Sequence, residues 1–456
     1  MFAPHRTGVI AVLLLLFPAL PKLMAETVPD KAVPTTAEVD QRVQVLEKQV
    51  QELRAQLAAL TQTSTAAPAA AIPAGAVQQA VATAPASPSD PLSGISSVLG
   101  GATFTGLLDT YYSYNPNQPA THVSGLRLFD SSSNQFALNV IELGLLKTPD
   151  AASPLGYNVT LGFGNAMNVV NSGDPGFLQY LKEAYLSYLV PAGKGLQLDV
   201  GKFVTPVGFE VIESNANWNY SRGLLFNYAV PFYHFGLRAK YNFSDKYSLT
   251  GFVTNGWNNV VSLNSGKTGG LSFAWVPAKK ISITETWLGG PGAVTLTGPN
   301  GAIATDGGNW RNLLDTVITY TPQAKLLLAT WGDYGRSEGF TGFNKSVAWS
   351  GVAGYAKYQF HPRYAVATRY EYYNDPDGVT TGGFQTVNGS TIFVPTRQHI
   401  NEVTATVEAR FAQHLIARTE FRHDVSDQPA FLRGNTPVLG QSTVAAGLMF
   451  VLEPAK

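Results

Sequence analysis

The chain has 456 residues, a net charge of zero, no cysteine and only 14% charged side chains. Soluble domains carry about 25% charged residues, so this composition argues against a charge-rich cytosolic enzyme. Zero net charge removes the basic field that favours nucleic acid as a partner. The lack of cysteine excludes disulfides and thiolate ligands. No apolar run is long enough for a membrane-spanning helix, whereas 44 glycines and 11% aromatic residues favour β-structure with many turns.

Residues 1–25 have the pattern of a secretory signal peptide. Arg6 precedes an apolar core at residues 9–20, and Ala25 ends the segment as a small residue at the expected cleavage site. The core is too short for an uncleaved membrane anchor. We therefore expect the mature chain to be exported.

Residues 26–62 are predicted to form a short coiled-coil helix. From Val39 onwards, apolar residues recur alternately four and three positions apart, which is the heptad spacing of a coiled coil. The alternative is a single amphipathic helix packed on its own domain, but the apolar stripe is narrow for that role. We expect the seam to join copies of the chain, and valine with leucine in this order favours two strands. The seam residues are Val43, Leu46, Val50, Leu53, Leu57 and Leu60.

Residues 63–99 are rich in Ala and Pro and have a single ionisable side chain, Asp90. Such a composition cannot bury an apolar core. The segment is therefore predicted to be a flexible linker to the rest of the chain.

From residue 100 onwards the sequence alternates between apolar and polar residues with period two, as β-strands with two different faces do. Residues 233–243 are an example, with Leu237 and Tyr241 on one face and Arg238 and Lys240 on the other. The pattern predicts sixteen strands, at residues 102–114, 135–147, 156–164, 180–190, 195–203, 232–243, 246–255, 269–276, 281–289, 312–321, 324–334, 347–360, 363–373, 397–411, 414–424 and 441–452.

A soluble sandwich and an outer-membrane barrel both have such strands, so the connections must distinguish them. Here short turns and long loops alternate strictly along the chain, as in outer-membrane barrels. Greek-key sandwiches have no reason to keep this order. Residues 100–456 are therefore predicted to form an antiparallel outer-membrane β-barrel of about sixteen strands in a Gram-negative-type cell. The even strand number leaves both ends of the barrel in the periplasm, together with residues 26–62.

A barrel of sixteen strands encloses an aqueous channel, so passive diffusion of small polar solutes or ions is the expected function. The longest connection, residues 204–231, is predicted to fold inward and narrow the channel. Its carboxylates and the inward cations of the wall would then filter solutes by charge. The alternative is that these charges only neutralise one another as salt bridges. The candidate residues are Glu210, Glu213, Arg222, Arg238, Lys240, Arg369, Arg410, Arg418 and Arg422.

Several runs of this sequence resemble the OmpL-like family of outer-membrane β-barrel porins. They are Glu183-Ala184-Tyr185, the stretch from Gly201-Lys202-Phe203 to Glu210, Asn219-Tyr220-Ser221-Arg222, Pro231-Phe232 and Asn255-Gly256-Trp257-Asn258. The resemblance implies a porin-like barrel over residues 100–456 but no particular solute. Trimers are usual among porins, so the likeness favours a trimer where the heptads favour a dimer.

Other functions have less support in the sequence. There is no HExxH, HxH or G-x-S-x-G motif, so neither an enzyme nor a metal or cofactor site is expected. Two alternatives to an open porin remain. The coiled coil could bind peptidoglycan and make the protein an envelope spacer, or long loops could plug the lumen and leave a solute-specific channel.

Overall fold

A computed structural model describes residues 100–262, 266–291, 295–297, 303–305, 310–338, 346–387, 390–412 and 414–452. The predicted signal peptide, coiled coil and linker lie outside these residues. No helix in the described ranges is long and apolar enough to cross a membrane.

Sixteen antiparallel strands form one closed barrel. Each strand pairs with the next barrel strand along the chain, and the last strand pairs with the first to close the sheet. The barrel strands are β1 (Thr103–Tyr114), β2 (Gln135–Lys147), β3 (Leu155–Phe163), β4 (Leu181–Val190), β5 (Leu196–Val204), β6 (Tyr233–Asn242), β7 (Tyr247–Thr254), β8 (Thr268–Ala278), β9 (Ile281–Pro291), β12 (Trp310–Gln323), β13 (Leu326–Ser337), β14 (Val347–His361), β15 (Tyr364–Asp375), β18 (Gln398–Ala412), β19 (Leu415–Ser426) and β22 (Gly440–Leu452).

The predicted barrel is confirmed, and every one of the sixteen predicted strands is present with ends within three residues of those expected. Six further short strands were not predicted. They pair as hairpins inside three of the long connections: β10 (Thr295–Thr297) with β11 (Ile303–Thr305), β16 (Gly382–Val387) with β17 (Ser390–Pro395), and β20 (Phe431–Arg433) with β21 (Thr436–Val438).

Strand β15 shows why this sequence closes into a barrel rather than a sandwich. Its apolar and aromatic residues Val366, Tyr370 and Tyr372 are exposed, whereas Arg369 and Glu371 are buried. This is the reverse of a soluble domain, and it suits a wall with lipid outside and polar groups inside. The inward face of this strand therefore carries its charges.

The connection between β5 and β6, residues 205–232, is the longest connection between neighbouring barrel strands, and we call it L3. It contains no β-hairpin. It has 28 residues and contains a 3-10 turn (Ser214–Ala216) and a short helix, α2 (Leu224–Tyr228). Another helix, α1 (Asn165–Val170), lies in the loop between β3 and β4. L3 is the element that shapes the lumen.

Candidate functional site

L3 lies inside the barrel and is largely buried there. Tyr220, Arg222 and Leu224 have no more than 1% of their surface exposed. Phe226 packs against Phe129 of the loop between β1 and β2, with ring centroids 5.6 Å apart, and the Arg222 guanidinium lies 4.7 Å from the centre of the same ring. The prediction of an inward-folding loop thus agrees with the structure.

The side chain of Arg418 on β19 binds backbone carbonyls of residues 214–219 in L3. Its guanidinium donates to the carbonyl oxygens of Asn217, at 2.7 Å, and Asn219, at 3.0 Å, and also to that of Ser214. The same group donates to the Glu408 carboxylate of β18 at 2.6 Å. Because a guanidinium has five N–H groups in a fixed plane, one arginine can bind several loop carbonyls at once.

Wall carboxylates bind the backbone N–H groups of L3 in the same way. Glu420 on β19 accepts hydrogen bonds from the N–H of Tyr220 at 2.6 Å and of Ser221 at 3.0 Å. Glu371 on β15 accepts from the N–H of Leu224 at 2.6 Å. A buried backbone N–H must find an acceptor, and here the wall strands supply it. L3 is therefore attached to the wall along much of its length.

Arg369 on β15 joins L3 to two strands and is fully buried. It lies 2.7 Å from Glu210 of L3, 2.7 Å from Glu402 of β18 and 2.7 Å from the carbonyl oxygen of Ser221. Buried charges are tolerated when they are paired and fully hydrogen-bonded. This part of the site is thus a neutralised network rather than an open charged surface.

Further round the barrel, L3 also reaches β1 and β4. Glu213 pairs with Lys182 of β4, which also lies 2.7 Å from Glu142 of β2. The Tyr220 hydroxyl donates to Asp109 of β1 at 2.9 Å. Burial raises the pKa of Tyr220 well above its usual range, so the hydroxyl keeps its proton. L3 consequently crosses the lumen from one wall to the other.

Residues 209–215 of L3 present two different sides. Glu210, Ile212 and Ser214 are buried, and the two polar ones face the charged network or Asp109. The residues between them are half-buried. Phe209 packs against Tyr355 of β14, with ring centroids 4.6 Å apart, and the other three form what we call the outer edge of L3: Val211, Glu213 and Asn215.

The inward faces of β4 and β6 also carry half-buried polar side chains. Arg238 of β6 pairs with Asp199 of β5 at 2.8 Å and keeps 19% of its side chain exposed. Its guanidinium lies 5.5 Å from the ring centre of Tyr185 on β4. Glu183 of β4 and Lys240 of β6 are half-buried as well. The space between these strands and the outer edge of L3 is the candidate constriction, which we call the slit.

The predicted site residues divide into two groups. Glu213, Arg238 and Lys240 are half-buried at the slit, and the Arg410 side chain is 43% exposed beside Glu408. Glu210, Arg222, Arg369, Arg418 and Arg422 are buried in the network that holds L3. Glu210 does not face Arg238 and Lys240 across the channel, as a charge filter of these residues would require. It lies on the wall-facing side of L3 and pairs with Arg369.

Sequence reasoning missed several members of this site. Lys182, Glu183 and Tyr185 lie on a strand that was predicted, but a β-bulge at Lys182 brings consecutive residues to the lumen and hides the alternation. No pattern indicated that Glu420 of β19 binds loop N–H groups, or that Glu402 and Glu408 of β18 pair with the arginines that hold L3. The site residues that are absent from the predicted set are Glu142, Lys182, Glu183, Tyr185, Glu371, Glu402, Glu408 and Glu420.

A closed sixteen-stranded barrel with a long loop folded into its lumen has the architecture of an outer-membrane porin. A family model described as "Putative beta-barrel porin-2, OmpL-like" matches residues 101–452. The chain therefore belongs to this OmpL-like porin family, as its sequence runs suggested, and is an outer-membrane channel for passive diffusion.

Two solved structures are similar in fold. OprB of Pseudomonas putida is 11% identical with a TM-score of 0.51, and the match covers 79% of this chain and 97% of OprB. An anion-selective porin from Comamonas acidovorans is 11% identical with a TM-score of 0.50, and the match covers 77% of this chain and 99% of that porin. At such identity the likeness concerns the fold alone. No curated protein matches the sequence.

Proposed function

We propose that small polar solutes and ions cross the barrel through the slit between the outer edge of L3 and strands β4–β6. The observation that supports this route is the alternation along L3: Val211 and Glu213 are half-buried, whereas Ile212 and Ser214 between and beside them are buried. The hydrogen bonds of Arg418, Glu420 and Glu371 hold the rest of the loop against the opposite wall. Solutes therefore pass the side of L3 that those bonds leave exposed.

The charges at the slit favour cations weakly. With their ion-pair partners, they comprise four acids and three bases, a net charge of −1. Glu183 accepts hydrogen bonds from Asn158 and from the N–H of Val204, so its carboxylate is held in a fixed position. A negative constriction raises the local cation concentration. The groups counted are Glu142, Glu183, Asp199, Glu213, Lys182, Arg238 and Lys240.

Single cysteines test the route, because the chain has no cysteine of its own. A Val211→Cys barrel in a planar bilayer should lose conductance when a bulky thiol reagent is added. Ile212→Cys is the matched control, since its side chain lies on the buried side and should not react. Equal block in both variants, or in neither, would refute the slit as the route.

Charge variants test the selectivity separately. Glu213→Gln should move the reversal potential in a salt gradient toward anion preference. Glu285→Gln is the control, because Glu285 alternates with the exposed Trp287 and lies on the outward face of β9. An unchanged reversal potential in Glu213→Gln would show that the slit does not set selectivity. A folded barrel without any conductance would instead support the loop-plugged, solute-specific channel.

For the N-terminal segment we propose a periplasmic coiled coil that joins barrels into a dimer or trimer. The even strand number supports this orientation, because it puts both barrel ends on the side of the short turns. Deleting residues 26–62 should abolish cross-linked oligomers and leave conductance per barrel unchanged. Retention of oligomers would place the contact in the barrel. If the same deletion abolished binding to peptidoglycan, the envelope-spacer role would be supported instead.

A further inference from the structure

Two buried carboxylates in the barrel wall meet without a cation between them. Asp315 of β12 and Asp333 of β13 are direct cross-strand partners, so their Cβ atoms lie about 4.5–5.5 Å apart on the same face of the sheet. Asp315 is fully buried, and Asp333 is 5% exposed. In the part of the chain that the structure describes, neither forms an ion pair with a basic side chain, unlike Glu210, Glu402 and Glu408.

The two carboxylates differ in how they are held. Asp315 accepts hydrogen bonds from the Trp331 indole N–H at 2.5 Å and from the N–H of Gly208, at the start of L3, at 3.3 Å. Neither oxygen of Asp333 accepts any hydrogen bond from the described residues. Adjacent buried carboxylates repel unless a positive charge is shared between them. A buried polar group without a partner needs an explanation, and a bound ion or water is one.

We propose that Asp315 and Asp333 bind a hard divalent cation of the Ca²⁺ and Mg²⁺ class at the root of L3. Both cations prefer oxygen ligands, and Mg²⁺ is often held by one or two carboxylates with water completing the shell. The described residues contain no group of three or more metal-ligating side chains, so two carboxylates and water supply the ligands here. Because Asp315 also binds the N–H of Gly208, the cation ties the start of L3 to the wall. The site does not depend on the slit being the solute route.

Terbium luminescence tests this site on the folded, full-length barrel. Tb³⁺ replaces Ca²⁺ at oxygen sites and emits when a neighbouring tryptophan is excited, and Trp331 touches Asp315. We expect emission that Ca²⁺ and Mg²⁺ displace. Asp333→Asn should raise the half-saturating Tb³⁺ concentration at least about tenfold, since loss of even an outer-shell partner costs about 10–100-fold. Asp245→Asn, in the short turn between β6 and β7, is the control and should leave it unchanged.

A second variant separates binding from emission. Trp331→Phe should lose most of the emission but keep a Ca²⁺-dependent rise in the temperature of the heat-modifiable gel shift. Emission that is absent, or that Asp333→Asn leaves unchanged in a folded barrel, would overturn the proposal and indicate a proton shared by the two aspartates. If Asp333→Asn fails to fold, displacement by Ca²⁺ in the wild type and the Trp331→Phe result decide between the two outcomes.

Discussion

Removing the Arg418 guanidinium should release L3 from the barrel wall. This side chain is almost fully buried and donates to the carbonyls of Ser214, Asn217 and Asn219 and to Glu408. Hydrogen bonds to a charged group contribute about 1.5–3 kcal/mol each, so losing two of these loop contacts should cost about 3–6 kcal/mol. Since about 1.4 kcal/mol is a tenfold change in an equilibrium, the open population of L3 should rise by roughly two to four orders of magnitude.

Thiol labelling measures that population. Ser214 is fully buried, so a Ser214→Cys thiol reacts only when L3 opens, and its reaction rate reports the open fraction. Adding Arg418→Ala should accelerate labelling by the factor given above. Folding of each variant is verified by its heat-modifiable migration, so that faster labelling is not mistaken for a collapsed barrel.

Arg410→Ala is the matched control for this experiment. Arg410 contacts the same Glu408 at 3.1 Å but has a 43% exposed side chain. An exposed ion pair contributes about 0–1 kcal/mol, so labelling of Ser214→Cys should change by less than about fivefold. If Arg418→Ala labelled no faster than Arg410→Ala, the hydrogen bonds of Arg418 would not be what holds L3.

Three further substitutions test other parts of the structure. Gly208 has a φ of 95°, and an added Cβ would lie 2.6 Å from the Trp331 ring. Gly208→Ala should therefore lower the stability of the barrel in thermal unfolding by about 1–3 kcal/mol. Gly354 has open space around it, so Gly354→Ala should leave the stability unchanged. Tyr220→Phe removes the hydroxyl that donates to Asp109, which should cost the closed form of L3 about 1–3 kcal/mol. Labelling of Ser214→Cys should therefore be faster in this variant. Lys240→Gln removes a base at the slit, so the reversal potential should move toward stronger cation preference.

The barrel could be predicted because lipid and water impose period two on every strand. In β15 and β18 apolar and polar residues alternate over a dozen residues or more, so each strand can be recognised by itself. The strict alternation of short turns and long loops then indicated an antiparallel barrel. The six hairpin strands in the loops escaped because they are three to six residues long, too short for a period to show.

The pairing inside the lumen could not be read from the same pattern. Arg418 was correctly assigned to the inward face, but its partners include L3 backbone carbonyls, whose positions depend on the loop conformation and not on its side chains. Glu210 and Glu213 are three residues apart, so an extended segment puts them on opposite sides. Treating both as members of one acidic surface ignored that alternation.

Planar-bilayer conductance of the purified, folded barrel tests the central claim most directly. The structure predicts stepwise openings, and a reversal potential in a salt gradient that shows weak cation preference. A folded, heat-modifiable barrel that gave no openings would contradict the open slit. Openings with clear anion preference would contradict the assignment of Glu183 and Glu213 as the groups that set selectivity.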